Sequence, residues 1–160
     1  MIRRVSVYRR FSGHDVPSLI TTNVARHEPL FSDENAAKAL VLTLKEAAAE
    51  TKVTVFAYVI MPDHLHVIAG PTERSSHGQF MRLVKGRFAH RWNRLHDGHG
   101  AIWQARFHEK ALRTERALLA AIDYVHHNPV AAGLVTMPDE YRWSSAKTCI
   151  PAELPAGASG

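Results

Sequence analysis

The stretch Tyr58-Val-Ile-Met-Pro-Asp-His-Leu-His-Val-Ile-Ala69 constrains this chain more than any other. Two apolar runs of strand length are separated only by Pro62 and Asp63, a pair with turn chemistry. The runs are expected to fold back on one another as a hairpin, which commits the middle of the chain to sheet. On the second run residues two apart face the same way, so His64 and His66 project side by side while Leu65 and Val67 point to the other face. Two imidazoles so placed form half of a divalent-metal site. Taken alone, a His-x-His pair more often ends a solvated strand face.

A second stretch changes that balance. The spacing over residues 114–129 predicts a helix with Thr114 as N-cap, Glu115 at its positive end and Pro129 as its stop. Leu118, Ile122 and Val125 recur at helical spacing as a buried stripe. Tyr124 and Asn128, four apart, share a different face. Ahead of Tyr124 on that face come Ala120 and Ala117, whose methyls leave the phenol room. An amide one turn beyond a phenol, presented to a His pair, supplies a third ligand and holds the tyrosine oxygen beside the metal.

Around these stretches the pattern alternates. Residues 18–24 read as a short β-branched strand. A helix is expected from Ser32, with Asp33 and Glu34 in its first turn and Ala37, Leu40, Leu44 and Ala48 packed. Residues 53–60 form the first arm of the hairpin, with Val53, Val55, Ala57 and Val59 on one face. The histidine strand ends by Gly70. A second helix over 78–95 turns Met81, Val84, Phe88, Trp92 and Leu95 inward, and residues 107–112 form a fourth strand. Strand–helix–strand–strand–helix–strand is the split βαβ order. The expected fold is α+β and ferredoxin-like, a four-stranded antiparallel sheet with helices on one face and an additional C-terminal helix carrying Tyr124. Tyr141, Trp143 and Ala146 are expected to pack back.

With 160 residues, of which 46% are hydrophobic, the chain can build one core without staples. No apolar run reaches membrane-spanning length and no signal-peptide core is present. The single cysteine, Cys149, permits neither an intrachain disulfide nor a cysteine-based zinc cluster. Cytoplasmic residence is the expectation. The organisation expected is a basic arm over 1–16, one domain over 17–146 and a flexible tail over 147–160.

The net charge of +5 is concentrated. Arg3, Arg4, Arg9 and Arg10 share the first ten residues with no acid, and residues 81–116 hold nine Lys and Arg against three acids. Charge gathered this way suggests a polyanion track. The candidate contacts are Arg3, Arg4, Arg82, Lys85, Arg87, Arg91, Arg94 and Arg106. Arg87, Arg91 and Arg94 form a helical stripe in which no acid is interleaved.

The hairpin sequence, then Ile102-Trp-Gln-Ala-Arg-Phe107, Tyr124-Val-His-His-Asn-Pro-Val-Ala-Ala-Gly-Leu-Val135 and Tyr141-Arg-Trp-Ser-Ser145, resembles the single-tyrosine HUH transposases. The likeness runs over roughly residues 17–146 and is closest to the branch associated with repetitive extragenic palindromes (REP), a relative of the IS200-type enzymes. It implies that the tyrosine helix crosses to the histidine face. It also implies a metal-dependent endonuclease and strand transferase on single-stranded, hairpin-forming DNA. Tyr124 would be the nucleophile, forming a 5′-phosphotyrosine linkage, and His64, His66 and Asn128 the ligands. A free phenol has a pKa of roughly 10, so its proton needs an acceptor, either the metal or a base such as His127. The resemblance implies Mg²⁺ or Mn²⁺. Imidazole ligands favour later transition metals, and Mn²⁺ satisfies both arguments better. The IS200 branch carries glutamine four residues after its tyrosine, so His127 is the other candidate for the third ligand. Monomer and dimer are both compatible with the sequence. The alternative functions are a non-catalytic, domesticated DNA-binding regulator and a zinc hydrolase of small phosphoesters; the second lacks an evident carboxylate near the His pair.

Overall fold

The computed structural model describes residues 11, 13 and 16–147, so Arg3, Arg4, Arg9, Arg10 and the tail beyond Lys147 lie outside the described residues. In chain order the elements are β1 (Ser18–Asn23), α1 (Glu34–Thr51), β2 (Thr54–Met61), β3 (His64–Gly70), α2 (His77–Leu95), β4 (His108–Ala111) and α3 (Glu115–Ala131). The strands form one antiparallel sheet in the order β2-β3-β1-β4, the ferredoxin-like arrangement that the alternation predicts. Only Pro62 and Asp63 separate β2 from β3, and Met61 pairs with His64 across the turn.

Each face of the sheet has its own core. On one face Ile20, Leu65, Val67 and Ala69 meet Ala37, Leu40 and Leu44 of α1 and Phe80, Met81, Val84 and Phe88 of α2. On the other, Ala57, Val59, Met61 and Ile68 meet Leu118, Ala121 and Val125 of α3. Each large side chain so buried is worth roughly 1.5–3 kcal/mol of transfer free energy. α3 therefore lies on the face opposite α1 and α2, which is also the face of His64 and His66.

Several local expectations are corrected. Asp33 is the N-cap of α1 rather than part of its first turn, accepting hydrogen bonds from the Asn35 and Ala36 amides; Ser32 belongs to a short 3₁₀ turn before it. Val53, Val55, Ala57 and Val59 do not share a face. A bulge between Val55 and Ala57 reverses the alternation, leaving Val53 and Val55 with α1 and α2 but Ala57 and Val59 under α3. Leu95 is 77% exposed, while Phe80 is buried at a position the inward stripe omitted.

Pro129 does not end α3, which continues to Ala131. Its missing amide hydrogen falls in the last turn, where little further helix depends on it. Closure comes at Gly133, whose φ of +74° is readily adopted by glycine. The Gly133 amide donates to the Val130 carbonyl and that of Leu134 to the Pro129 carbonyl, a Schellman arrangement.

The segment after α3 packs back as expected. The Ile60 amide donates to the Trp143 carbonyl, the Tyr58 amide to Ser145 Oγ, and Tyr141 Oη to the Ile60 carbonyl. This segment covers the outer edge of β2 and fixes where α3 sits. Within the expected arm, the Phe11 amide donates to the Arg113 carbonyl and its ring joins the α3 core, so this residue belongs to the packed domain. Among the described residues no helix is long and apolar enough to cross a membrane.

Candidate active site

His64 and His66 stand on β3 with ring centroids 4.7 Å apart and planes at 82°. The two-residue alternation of the strand places them together. His66 is 7% exposed, and burial, then the neighbouring His64, push its pKa down to about 4. The ring is therefore neutral near pH 7, the form that can ligate a cation.

Each ring is held through Nδ1. His64 Nδ1 lies 2.6 Å from Asp63 Oδ1 and His66 Nδ1 lies 2.7 Å from Thr21 Oγ1. Burial works to raise the Asp63 carboxyl, but its hydrogen bond with His64 and the charges of His64 and His27 hold it below the usual range. An ionised carboxylate only accepts, so the neutral His64 ring carries its proton on Nδ1 and offers Nε2 as a lone pair. Thr21 is paired with His66 in the β1–β3 register, and its hydroxyl suits the same tautomer there. Imidazoles tethered through one nitrogen with the other left for an ion are a regular feature of metal sites. Asp63 also supplies the carboxylate beside the His pair that the sequence reading did not find.

α3 brings the third ring. Tyr124 is 53% exposed, and its ring centroid is 5.7 Å from that of His66, with the planes at 69°. Three features set this approach. Leu118, Ala121 and Val125 seat the helix on β2 and β3. Thr114 caps its start through the Ala117 amide. Near its end, His126 Nε2 lies 2.9 Å from Ser145 Oγ, tying α3 to the segment that covers β2. Burial lowers the His126 pKa, and its ring acts as a strut.

Asn128 is half-buried one turn beyond Tyr124 on the same helical face. His127 is exposed, and its Nδ1 donates to the Asp123 carbonyl at 2.9 Å. Among the described residues no three His, Cys, Asp or Glu side chains are placed to hold a metal ion together, so His127 does not complete such a trio with His64 and His66.

The basic candidates separate into two groups. The expectation that the α2 stripe lacks acidic partners is corrected, because the acids come from α1. Arg87 pairs with Glu50 at 2.7 Å and Glu46 at 3.7 Å, and Arg91 pairs with Glu46 at 2.7 Å. Lys85 Nζ donates to the Gln104 carbonyl, and its pKa is lowered by burial. Arg82, Arg94 and Arg106 are exposed and make no ion pair among the described residues. All the α2 side chains belong to the helix layer behind the sheet, away from Tyr124.

Lys110 was not among those candidates. It is paired with Leu19 in the β1–β4 register and lines a cavity together with His66 and Tyr124. Alternation in His108-Glu109-Lys110 could have signalled it, since Glu109 turns the other way to His77 and Ser18.

The profile of a family described as "Transposase IS200 like" matches residues 18–128, from the start of β1 through both histidines and Tyr124 to Asn128. The chain belongs to the IS200-like transposase family. It is 31% identical over 90 residues to a REP-associated tyrosine transposase of Escherichia coli K12, covering 56% of this chain and 52% of that one. It is 28% identical over 108 residues to a Haemophilus influenzae protein assigned provisionally to the same group, covering 61% of each. The chain thus spans between half and two thirds of the length of these relatives. A solved REP-associated tyrosine transposase bound to a REP hairpin has the same fold, with a TM-score of 0.74 and 24% identity, covering 98% of this chain and 92% of that one.

Proposed function

We propose that this family member is a single-stranded DNA endonuclease and strand transferase in which Tyr124 is the nucleophile. One observation carries the reading: an exposed phenol from α3 lies against the tethered His64–His66 pair of β3, across the sheet from α1 and α2. A tyrosine so exposed beside a neutral, buried imidazole contributes little to packing, and its hydroxyl can be reached by a phosphate.

His64 and His66 would hold one divalent ion through Nε2, with Asn128 as third donor. His127 is the other candidate for that place. Such an ion supplies charge for the scissile phosphate and for the oxygen that leaves it. Mn²⁺ or Mg²⁺ matches the family, and substrate oxygens and water would complete the shell of either.

Tyr124 Oη attacks phosphorus, the bond from phosphorus to the 3′ oxygen breaks, and the products are a 5′-phosphotyrosine and a free 3′-hydroxyl. The phenolic proton goes to a base; His127, three residues on with its Nδ1 committed to the Asp123 carbonyl, is suited to accept it on Nε2. The departing 3′ oxygen takes up a proton. Because one phosphoester replaces another, attack by a different 3′-hydroxyl reverses the step and joins strands without ATP.

A hairpin with a single-stranded 5′ flank is the proposed substrate. A flexible strand can turn its backbone into the space between α3 and the sheet, whereas a duplex cannot. The solved relative bound to a REP hairpin supports this substrate form. Arg82, Arg94 and Arg106, with Arg3 and Arg4 of the arm, would contact phosphates, and residues 17–146 would act as one catalytic domain. Incubating the protein with such a hairpin and Mn²⁺ is expected to yield a covalent protein–DNA adduct on a denaturing gel. No adduct with any hairpin that binds tightly would overturn the reading.

A further inference from the structure

A cavity of about 410 Å³ opens beside Tyr124 and His66, between α3 and the β1–β4 pair. Its existence follows from side-chain size. On α3 the positions four and seven before Tyr124 are Ala120 and Ala117, where longer side chains would reach the sheet. Leu19 and Leu112 form the opposing apolar wall, and Lys110 stands at its rim as the cross-strand neighbour of Leu19. Ligand sites commonly enclose roughly 300–1,000 Å³ behind mostly apolar walls with a few placed polar groups.

We infer that this cavity receives the base of a nucleoside directly joined to the scissile phosphate, while Lys110 contacts the next phosphate along the strand. The inference rests on the reading of Tyr124 as the nucleophile and names what lies beside it. The cavity shares Tyr124 and His66 with the reacting centre, so its occupant must be attached to the group that reacts there. An apolar slot with one cation at its mouth matches a flat heterocycle carried on a phosphodiester. Lys110 makes no ion pair among the described residues, which leaves its charge available to an anion.

The chemistry of the walls also sets the kind of recognition. Among the described residues no Asn, Gln, Asp or Glu side chain lines the cavity, and Thr21 Oγ1 is engaged with His66. The amide and carboxylate side chains that read base edges are missing from that lining, and its one cation, Lys110, is assigned to a phosphate. The cavity therefore senses that a base is present more than which base it is.

The test reads binding in EDTA, so it does not depend on the chemistry. A hairpin whose single-stranded 5′ flank binds tightly is prepared with one abasic residue at each flank position in turn. For the wild-type protein, one position is expected to raise Kd roughly ten-fold, the equivalent of about 1.4 kcal/mol. Swapping purine for pyrimidine there should change Kd less than about three-fold on the same scale. Ala120 is exposed, so Ala120→Leu fills the cavity from its open side; this variant should bind intact and abasic strands equally. Ala117→Leu, one turn earlier, is the second filler where Ala120→Leu does not fold. Lys110→Gln should make the dependence of log affinity on log salt shallower by about 0.7, one single-strand phosphate contact. A flank with no abasic-sensitive position, or a sensitivity that survives in the fillers, overturns the inference, and so does an unchanged salt slope for Lys110→Gln. Failure of the nucleophile reading would appear separately, as a wild-type protein that forms no adduct with Mn²⁺.

Discussion

Asp63 Oδ1 sits 2.6 Å from His64 Nδ1, so the turn that makes the hairpin also selects the imidazole tautomer. Removing such a partner typically costs 10- to 100-fold in metal affinity. Asp63→Ala is expected to weaken Mn²⁺ binding by roughly that factor in calorimetry. Nitrogen NMR of the metal-free protein should show His64 losing its Nδ1–H preference while His66, held by Thr21, keeps its own. Equal Mn²⁺ affinity in both proteins would remove Asp63 from this role.

Tyr124→Phe should abolish the covalent adduct. It removes one oxygen from a side chain that is already half exposed. Hairpin affinity should stay within a few-fold of the wild type, and thermal melting should barely move. An adduct formed by the purified variant would require another nucleophile.

Protons should destabilise the fold through His66. Its pKa is about 4 in the folded chain and roughly 6.5 when unfolded. Between those values the unfolded chain binds a proton that the folded chain does not. Stability should therefore be full above about pH 6.5, decline as pH falls to about 4 and level off below that, by up to about 3 kcal/mol. His126, also lowered by burial, acts in the same direction. Urea unfolding at pH 7 and pH 4.5 should show a smaller loss for His66→Gln than for the wild type. The same loss in both would assign the effect to other groups.

The two groups of arginines should respond differently to salt. Among the described residues Arg82, Arg94 and Arg106 have no ion pair to give up, so replacing them with alanine should make the salt dependence of hairpin binding shallower, by about 0.7–0.9 per lost phosphate contact. Arg87, held by Glu46 and Glu50, should leave the slope nearly unchanged when replaced. Titrations of both variants at several salt concentrations would decide. A steeper effect from Arg87 would mean that DNA draws it away from α1.

Much of this was legible in residue order. The hairpin followed from two apolar runs around Pro62 and Asp63, and the side-by-side histidines from strand alternation. The helix of Tyr124 followed from Thr114 and a periodic stripe. Features that depend on a neighbour were less legible. The bulge between Val55 and Ala57 inserts one residue into an otherwise regular alternation and turns half of β2 over. Pro129 reads as a helix stop, yet α3 runs on to Ala131 and closes at Gly133, where the Gly133 and Leu134 amides cap its last carbonyls.

The sequence by itself determined the elements, their order and the residue types available for chemistry, because periodicity and turn residues act within a few positions along the chain. Only the tertiary structure decided which of those residues meet. Thr21 faces His66 through a register 45 residues apart, and Lys110 joins Leu19 across another. Tyr124 reaches the histidines because its apolar stripe can be buried only on the uncovered face of the sheet. Arg87, which looked free along its own helix, is matched by acids from a helix that crosses it. Strand pairing and helix packing are contacts between distant positions, and they exist only once the faces that hide from water have found one another.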